Sequence, residues 1–374
     1  MNDTTIVGYT PSAADGFSSV VSLHAHTCHS RESLSFLPGL MARVPLIGRL
    51  IEYQTLRYRR YYGKDLDFER AYWRPPMTAR AVIDSEMRHT VGRLGLRPIV
   101  SLTDHDTIEG PQTLAGAPLP CEAPASFEWT VYFGDSCVHL GVHNLPPPEA
   151  PTIAVECAAI TSRPDEGRLA DMLDWLQELP ATLVVLNHPL WDGRGIGTLQ
   201  RTLLTGWLTR YGHFLHALEI NGYRSWPENQ EVAALARRFR LPLVSGGDRH
   251  ARAPNVLLNL TRSRTFADFA GEIRRDRHSH IVVMPEYREH WLSRTLEAVA
   301  EVLGSDPSLA TGRRWVSRVF HVTDDRGDLP VAHYWEGGEP LWLKCAVGFM
   351  CLIGAPQLRP ARRLALAGEQ EVGL

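Results

Sequence analysis

The stretch Ser18–His26, S-S-V-V-S-L-H-A-H, leads from a β-branched apolar segment into two histidines spaced two apart. In an extended strand, residues i and i+2 share a face, so His24 and His26 are placed to grip one ion. With 16 histidines in the chain, an H-x-H is expected about once by chance, so the pair gains weight only through recurrence. The pattern does recur. P-I-V-S-L-T-D-H-D (98–106) brings Asp104, His105 and Asp106, and S-F-E-W brings Glu128. C-V-H-L-G-V-H brings His139 and His143, L-N-H-P brings His188, A-L-E-I-N brings Glu219, and S-G-G-D-R-H brings Asp248 and His250. Imidazole and carboxylate are the ligands that borderline and hard divalent cations select.

Helical patterns separate these runs. A-R-A-V-I-D-S-E-M-R-H-T-V-G-R-L (79–94), D-E-G-R-L-A-D-M-L-D-W-L-Q-E-L (165–179) and E-N-Q-E-V-A-A-L-A-R-R-F (228–239) place apolar residues at helical spacing. Alternating strands and helices predict an α/β fold with a parallel sheet or barrel. In such barrels functional residues gather at the carboxyl ends of strands around one mouth, and each candidate ligand follows a strand-like run.

At 374 residues, 44% hydrophobic and 22% charged, the chain is long enough for a large barrel with an appendage. A net charge of −3 and a pI of 6.6 exclude the global basic footprint of a dedicated duplex nucleic-acid binder. Six scattered cysteines without a C-x-x-C, and an N-terminus without charged and apolar blocks, predict free thiols in a cytoplasmic protein. The apolar stretch 341–355 is interrupted by Lys344, is too short to span a bilayer, and is expected to be a buried strand or helix. No G-x-S-x-G elbow or G-x-x-x-x-G-K-[ST] loop is present, and G-R-G-I-G (193–197) reads as a loop after N-H-P.

The order H-x-H, T-D-H-D-T, an isolated strand Glu, a His-bearing strand, N-H-P and G-G-D-x-H resembles the PHP (polymerase and histidinol phosphatase) superfamily, over about residues 18–283. The resemblance implies a distorted (β/α)7 TIM-like barrel carrying two or three divalent ions (Zn, Mn or Fe) and, most often, phosphate ester hydrolysis. It further implies the ligands His24, His26, Glu32, His105, Glu128, His139, His188, Asp248 and His250, the nine of a trinuclear member, with Glu128 as the bridging carboxylate. Glu32 stands where Asp or His is usual, and His29 competes with it. His139 is preferred to His143.

Arg249 is unusual beside such a motif; it either clamps a phosphate oxygen or turns to a surface carboxylate. Asp106 is read as the N-cap of a helix beginning D-T-I-E, and Glu219 as an inward-facing partner for a ligand. Paired divalent ions lower the pKa of a shared water, so attack by a metal-bridged hydroxide is expected. His26, Asp248 and Arg249 are the candidates for a catalytic role at the departing oxygen.

Two segments lie outside this pattern. Residues 37–77 leave the first strand's loop and are expected to cover the mouth as a lid. There Arg57, Arg59, Arg60 and Lys64, with Tyr53, Tyr58, Tyr61 and Tyr62, admit three readings: substrate contact, a membrane-surface or subunit interface, or a lid helix with its arginines in water. Residues 284–374 read as a small α+β appendage with strands around Trp315, Trp335 and Trp342, a hairpin turn at D-D-R-G-D, and a frayed tail from Arg359, the whole packing on the barrel or forming a homo-oligomer contact. The leading expectation is a phosphoesterase acting on a small phosphorylated substrate. A nuclease or nucleotide phosphatase and a catalytically silent PHP module stand as alternatives.

Overall fold

The computed structural model of the chain describes residues 3–35, 45–63, 65, 67–305, 314–323, 327–335 and 338–366. Part of the 37–77 insertion (37–44, Lys64 and Leu66), the turn residues 324–326 and the tail beyond 366 lie outside them. The strands are β1 (Asp3–Gly8), β2 (Ser19–Ala25), β3 (Glu32–Ser33), β4 (Ala71–Trp73), β5 (Arg97–Leu102), β6 (Phe127–Phe133) and β7 (Ser136–His143). They continue with β8 (Leu183–Asn187), β9 (Ala217–Asn221), β10 (Leu243–Arg249), β11 (Leu257–Thr261), β12 (His278–Val283), β13 (Val319–Thr323) and β14 (Gly327–Pro330).

The helices are α1 (Pro45–Tyr62), α2 (Ala79–Leu94), α3 (Glu109–Gln112), α4 (Ala150–Ser162), α5 (Glu166–Glu178) and α6 (Thr198–Tyr211). After them come α7 (Trp226–Phe239), α8 (Phe266–Gly271), α9 (Trp291–Leu303), α10 (Val331–Tyr334), α11 (Leu341–Ile353) and α12 (Arg359–Ala365).

The fold is mixed α/β, built on a ten-stranded sheet ordered β1-β12-β11-β2-β10-β9-β8-β7-β6, with β5 also paired to β2. β5, β2, β10, β9 and β8 pair in parallel, as the strand and helix alternation predicts. β7 departs from this: it runs antiparallel to both β6 and β8. The turn after β5 reaches β6, with Asp106 N donating to Glu128 O (2.7 Å) and Glu128 N to Asp104 O (3.1 Å). The pairing path therefore returns from β6 through β5 to β2.

The core lies between sheet and helices. Phe127, Trp129, Leu140, Leu186, Leu218 and Ile220 from the strands pack with Leu173, Leu176, Leu204 and Trp207 from α5 and α6. Local chemistry sets the helix ends: Thr78 accepts from Ala81 N at the start of α2, and Gly95 closes that helix at φ 66°, a left-handed conformation open to glycine.

A second sheet, β14-β13-β4-β3, joins the end of the insertion (β4) to the C-terminal segment (β13, β14) and to the strand that bears Glu32. The C-terminal segment is more helical than its tryptophans imply. Trp342 lies on α11 and Trp335 follows α10, because here Leu, Ala, Met and Val recur without period-2 alternation. β13 and β14 form the expected hairpin. Arg359 opens α12 rather than a frayed tail, anchored by buried Arg362 bonding Ser293 Oγ (2.9 Å).

α11 is a helix but not a buried one: Leu341 is 76% exposed and Phe349 59%. No single helix among the described residues is long and apolar enough to cross a membrane; α11 and Pro356–Ala365 pass such a test only together, across a 54° bend. All six cysteines are free thiols.

Candidate metal centre

Seven strand ends and turns bring the nine sequence-derived ligands into one place, although not all as the strand-end rule predicts. His188 and His250 directly follow β8 and β10, and His105 lies three residues past the end of β5. Glu128 is the second residue of β6, and His139 lies midway along antiparallel β7, opposite Asn187. The simple same-face argument for His24 and His26 also fails in detail. His24 has φ 65°, the β2 register shifts beside it, and His26 lies beyond the strand. His188 (φ 28°) and Asp248 (φ 47°) are left-handed as well. Three non-glycine residues in this sparsely populated region mark a place where side-chain aim overrides backbone preference. Gly246 makes room for it, since a Cβ there would collide with the Glu219 carboxylate and sit 2.9 Å from His24 Cβ.

The donors converge on Glu128, whose side chain is fully buried. Its Oε1 lies 3.2 Å from His24 Nε2, 3.2 Å from His188 Nε2 and 3.5 Å from His139 Nδ1. Its Oε2 lies 3.4 Å from His26 Nε2 and 3.3 Å from His105 Nε2. Asp248 Oδ1 stands 3.5 Å from both His24 Nε2 and His26 Nε2, which are themselves 3.1 Å apart. Glu32 Oε2 is 3.3 Å from His105 Nε2 and 3.0 Å from His250 Nε2. Ligands about 2.0–2.1 Å from a tetrahedral ion stand about 3.3 Å from one another, which is the spacing found here. The two Glu128 oxygens thus face separate donor sets, the arrangement a carboxylate needs to bridge two ions.

The donor set fits metal better than it fits itself. Glu128 Oε2 and His139 Nδ1 are buried without a hydrogen-bond partner. Most of the His–carboxylate separations exceed the roughly 2.7–2.9 Å of a charge-assisted hydrogen bond. Electrostatics point the same way. Burial alone would lower His105 and His250, but Glu32 with Glu128 raises His105 to about 10, and Glu32 with Asp248 raises His250 to about 9. Burial and His250 push His26 down to about 4. Against burial, the surrounding imidazoles hold Glu32, Glu128 and Asp248 well below the usual carboxylate range. Metal binding at these donors therefore displaces protons, and affinity falls as pH falls.

A surrounding set of residues fixes the donors. His24 Nδ1 pairs with Glu219 Oε2 at 2.8 Å, and Glu219 Oε1 accepts from Asn221 Nδ2 (2.7 Å), the inward role expected of Glu219. Ser30 Oγ donates to Glu32 Oε1 (2.5 Å), accepts from His105 N (3.0 Å) and contacts His26 Nδ1 (3.1 Å). Asn187 donates to Glu128 Oε1 at 2.9 Å, and His250 Nδ1 donates to the Asp248 carbonyl at 2.9 Å. Such partners set ring orientation and tautomer.

Other expectations are corrected. Arg249 is fully buried and turned away, its Nη1 on Glu86 Oε1 at 2.5 Å and its Nη2 on the carbonyls of Ala251 and Arg252 at 2.9 Å. It neither clamps a phosphate nor meets a surface carboxylate, because alternation along β10 sends it to the opposite side from Asp248. Asp106 does not cap α3. At φ 53° its Oδ1 accepts from Thr130 N (2.8 Å), bracing β6. His143 bonds Ser101 Oγ at 2.7 Å, four residues down β7 from His139. His29 pairs with exposed Glu109, which leaves the position in the cluster to Glu32.

The sequence reading missed Arg224, Trp73 and Trp191. Arg224 Nη2 is 4.0 Å from Asp248 Oδ2; Trp191 lies 4.9 Å from the His139 ring and Trp73 5.7 Å from the His250 ring, centroid to centroid. Arg224 and Trp191 lie in the turns just after the β9 and β8 motifs, N-G-Y-R and N-H-P-L-W, and that placement was the available signal. A cavity of about 940 Å³ opens on Asp248 and His250, with Trp73, Arg74, Tyr223 and Arg224 beside them.

No family model and no curated protein matches the chain. Among solved structures it is similar to PsfC from Pseudomonas syringae (15% identity, 72% of this chain and 93% of that one, TM-score 0.42). It is similar also to an amidohydrolase from Chromobacterium violaceum with bound sulfate and no metal (17%, 47% and 83%, TM-score 0.34). A third is a protein from Bifidobacterium adolescentis provisionally assigned as a metal-dependent phosphoesterase (17%, 55% and 92%, TM-score 0.32). Likenesses this distant leave the functional argument to the site itself.

Proposed function

We propose that the chain is a metal-dependent hydrolase that cleaves a phosphate ester of a small molecule. The observation that carries this reading is the Glu128 carboxylate, with one oxygen facing His24, His139 and His188 and the other facing His26 and His105. His24, His26, Glu32, His105, Glu128, His139, His188, Asp248 and His250 would hold two or three zinc, manganese or iron ions. Such ions supply Lewis acidity toward phosphoryl oxygens and make water a stronger acid near neutral pH. In this reading Glu219 keeps His24 Nε2 free to ligate, and Ser30 orders Glu32 against His26 and His105. His26 and Asp248 act as ligands. Arg224, beside Asp248, is the cation placed to receive a phosphoryl oxygen, in the role first sought for Arg249. The returning strand path is read as a barrel of the (β/α)7 kind over 18–283, with α1 and the C-terminal segment across its mouth.

The test is elemental analysis of the purified protein with phosphate release measured on phosphomonoesters, diesters and oligonucleotides. We expect two or three ions per chain and turnover of one substrate group, with both lost in His24→Ala and Asp248→Ala while the circular dichroism spectrum is kept. Full metal content in either variant, or a metal-loaded protein inert on every ester, overturns the reading.

A further inference from the structure

The cavity of about 940 Å³ that opens on Asp248 and His250 has two chemically different ends. At the metal end stands Arg224, whose Nε atom is buried and without a hydrogen-bond partner, while the Arg74 guanidinium lies over the Phe320 ring. The rest of the wall is mainly hydrocarbon and aromatic, with Tyr58 of α1, Val299 and Val302 of α9, Phe320 of β13, and Val347 and Met350 of α11. The helices that build this wall show why it is there. α9 has the spacing of a core helix, yet only Ser293 among its residues is buried, and α11 buries none. The two helices pack on each other and turn Val299, Val302, Val347 and Met350 to the cavity, while Leu341, Phe349 and Leu352 of α11 face outward.

Some polar wall groups are committed to one another, while Gln54 Oε1, Trp335 Nε1 and Trp342 Nε1 are buried without a hydrogen-bond partner. The Tyr58 hydroxyl is bonded to His321 Nδ1 at 2.8 Å, and Arg318 donates to the Val302 carbonyl. A base or sugar would need several converging donors and acceptors to replace its water, and such atoms are a small part of a wall built mainly of hydrocarbon and aromatic carbon. The arginines of α1 are no substitute, since Arg57, Arg59 and Arg60 are exposed while Ile51, Thr55 and Tyr58 line the cavity.

We infer that the substrate is an amphiphile, a phosphate monoester of a hydrocarbon chain of about eight carbons or more. The phosphate lies at the metal donors with Arg224, and the chain lies along α9 and α11. This rests on the proposed phosphoesterase reading and names its substrate class. In the reaction a water oxygen bonds to phosphorus, the bond from phosphorus to the chain's terminal oxygen breaks, and that oxygen leaves as the alcohol after taking the proton that water gives up.

The test uses the full chain loaded with metal and a series of n-alkyl phosphates from ethyl to tetradecyl, each below its micelle concentration. Burial of a methylene predicts a rise in kcat/KM of up to about fourfold per added carbon, levelling once the cavity is filled. Matching n-alkyl phosphonates, titrated by tryptophan fluorescence through Trp291, Trp315 and Trp342 on the wall, report binding without turnover. Ala346→Trp, which narrows the cavity from α11, should weaken tetradecyl binding at least tenfold and change ethyl phosphate turnover far less. If turnover and phosphonate binding are both independent of chain length, the inference fails and the phosphoesterase reading stands. If no ester is cleaved but phosphonate binding still tightens with length, the phosphoesterase reading fails and the hydrocarbon site stands.

Discussion

Two buried nests of charge lie one residue apart on β10, and they are built on opposite principles. Around Arg249 nearly every group is satisfied. Glu86 Oε1 accepts from Arg249 Nη1 and from Asn255 N (3.0 Å), Glu86 Oε2 accepts from Ser22 Oγ (2.9 Å), and Arg249 Nη2 reaches two carbonyls. Around Asp248 the carboxylates and imidazoles point at shared positions and leave Glu128 Oε2 and His139 Nδ1 unbonded. Both nests are largely buried and both contain carboxylates. What separates a structural ion pair from a metal centre is whether the lone pairs are used up among the side chains themselves.

Replacing one member of each nest sharpens that contrast. Asp248→Asn should lower hydrolysis about a thousandfold, the scale of several kcal/mol of transition-state stabilisation, and leave the thermal midpoint of the metal-free protein close to that of the parent. Arg249→Met should do the reverse. It leaves the Glu86 carboxylate buried without its cation and costs about 3–5 kcal/mol in urea unfolding, while the folded fraction keeps its metal. A stable, metal-free Arg249→Met protein would erase the distinction between the nests.

The metal nest was far more legible in the sequence than the structural one. Its members are confined to His, Asp and Glu by coordination chemistry, and each lies on or just after a recognisable strand, so both identity and order survive in the one-dimensional record. Alternation, however, does not encode strand direction, so antiparallel β7 and the placement of His139 could not be read. Nor does it encode the left-handed turns at His24, His188 and Asp248, or the close approach of Glu219 and His24 to Gly246. The partner of Arg249 left a fainter signal: Glu86 occupies the buried stripe of α2 with Val82 and Thr90, where a charge needs an opposite charge. The hydrocarbon cavity had none, because its wall is assembled from many separate segments whose apolar residues read individually as ordinary core.

Glu219 tests the boundary of the metal nest, since it touches no shared position and reaches the donors through His24 Nδ1 and the His188 backbone N (3.3 Å). Glu219→Gln should weaken metal binding about ten- to a hundredfold by equilibrium dialysis, with full activity restored at saturating metal. Loss of activity that excess metal does not restore would place Glu219 among the reacting groups.

His216 offers the smallest effect and the cleanest sign. Its Nδ1 accepts from Val184 N at 2.8 Å and its Nε2 donates to Gln177 Oε1 at 3.1 Å, so this ring is fixed as neutral by its partners. Burial, with Arg274 and Arg277 nearby, lowers it to about 3. A folded pKa below the unfolded value of about 6.5 gives stability that is complete above pH 6.5 and is lost as pH falls toward 3, at about 1.4 kcal/mol per unit. His105 and His250 have the opposite sign in the metal-free protein: raised to about 10 and about 9, their contribution is complete below pH 6.5 and disappears as pH rises through those values. His216→Gln keeps an acceptor for Val184 N and removes the titration. Its destabilisation relative to the parent should therefore shrink by about 2 kcal/mol between pH 7 and pH 5 in urea unfolding. An unchanged difference at the two pH values would mean that His216 takes up its proton without unfolding, and that not every histidine outside the metal nest is held neutral by its partners.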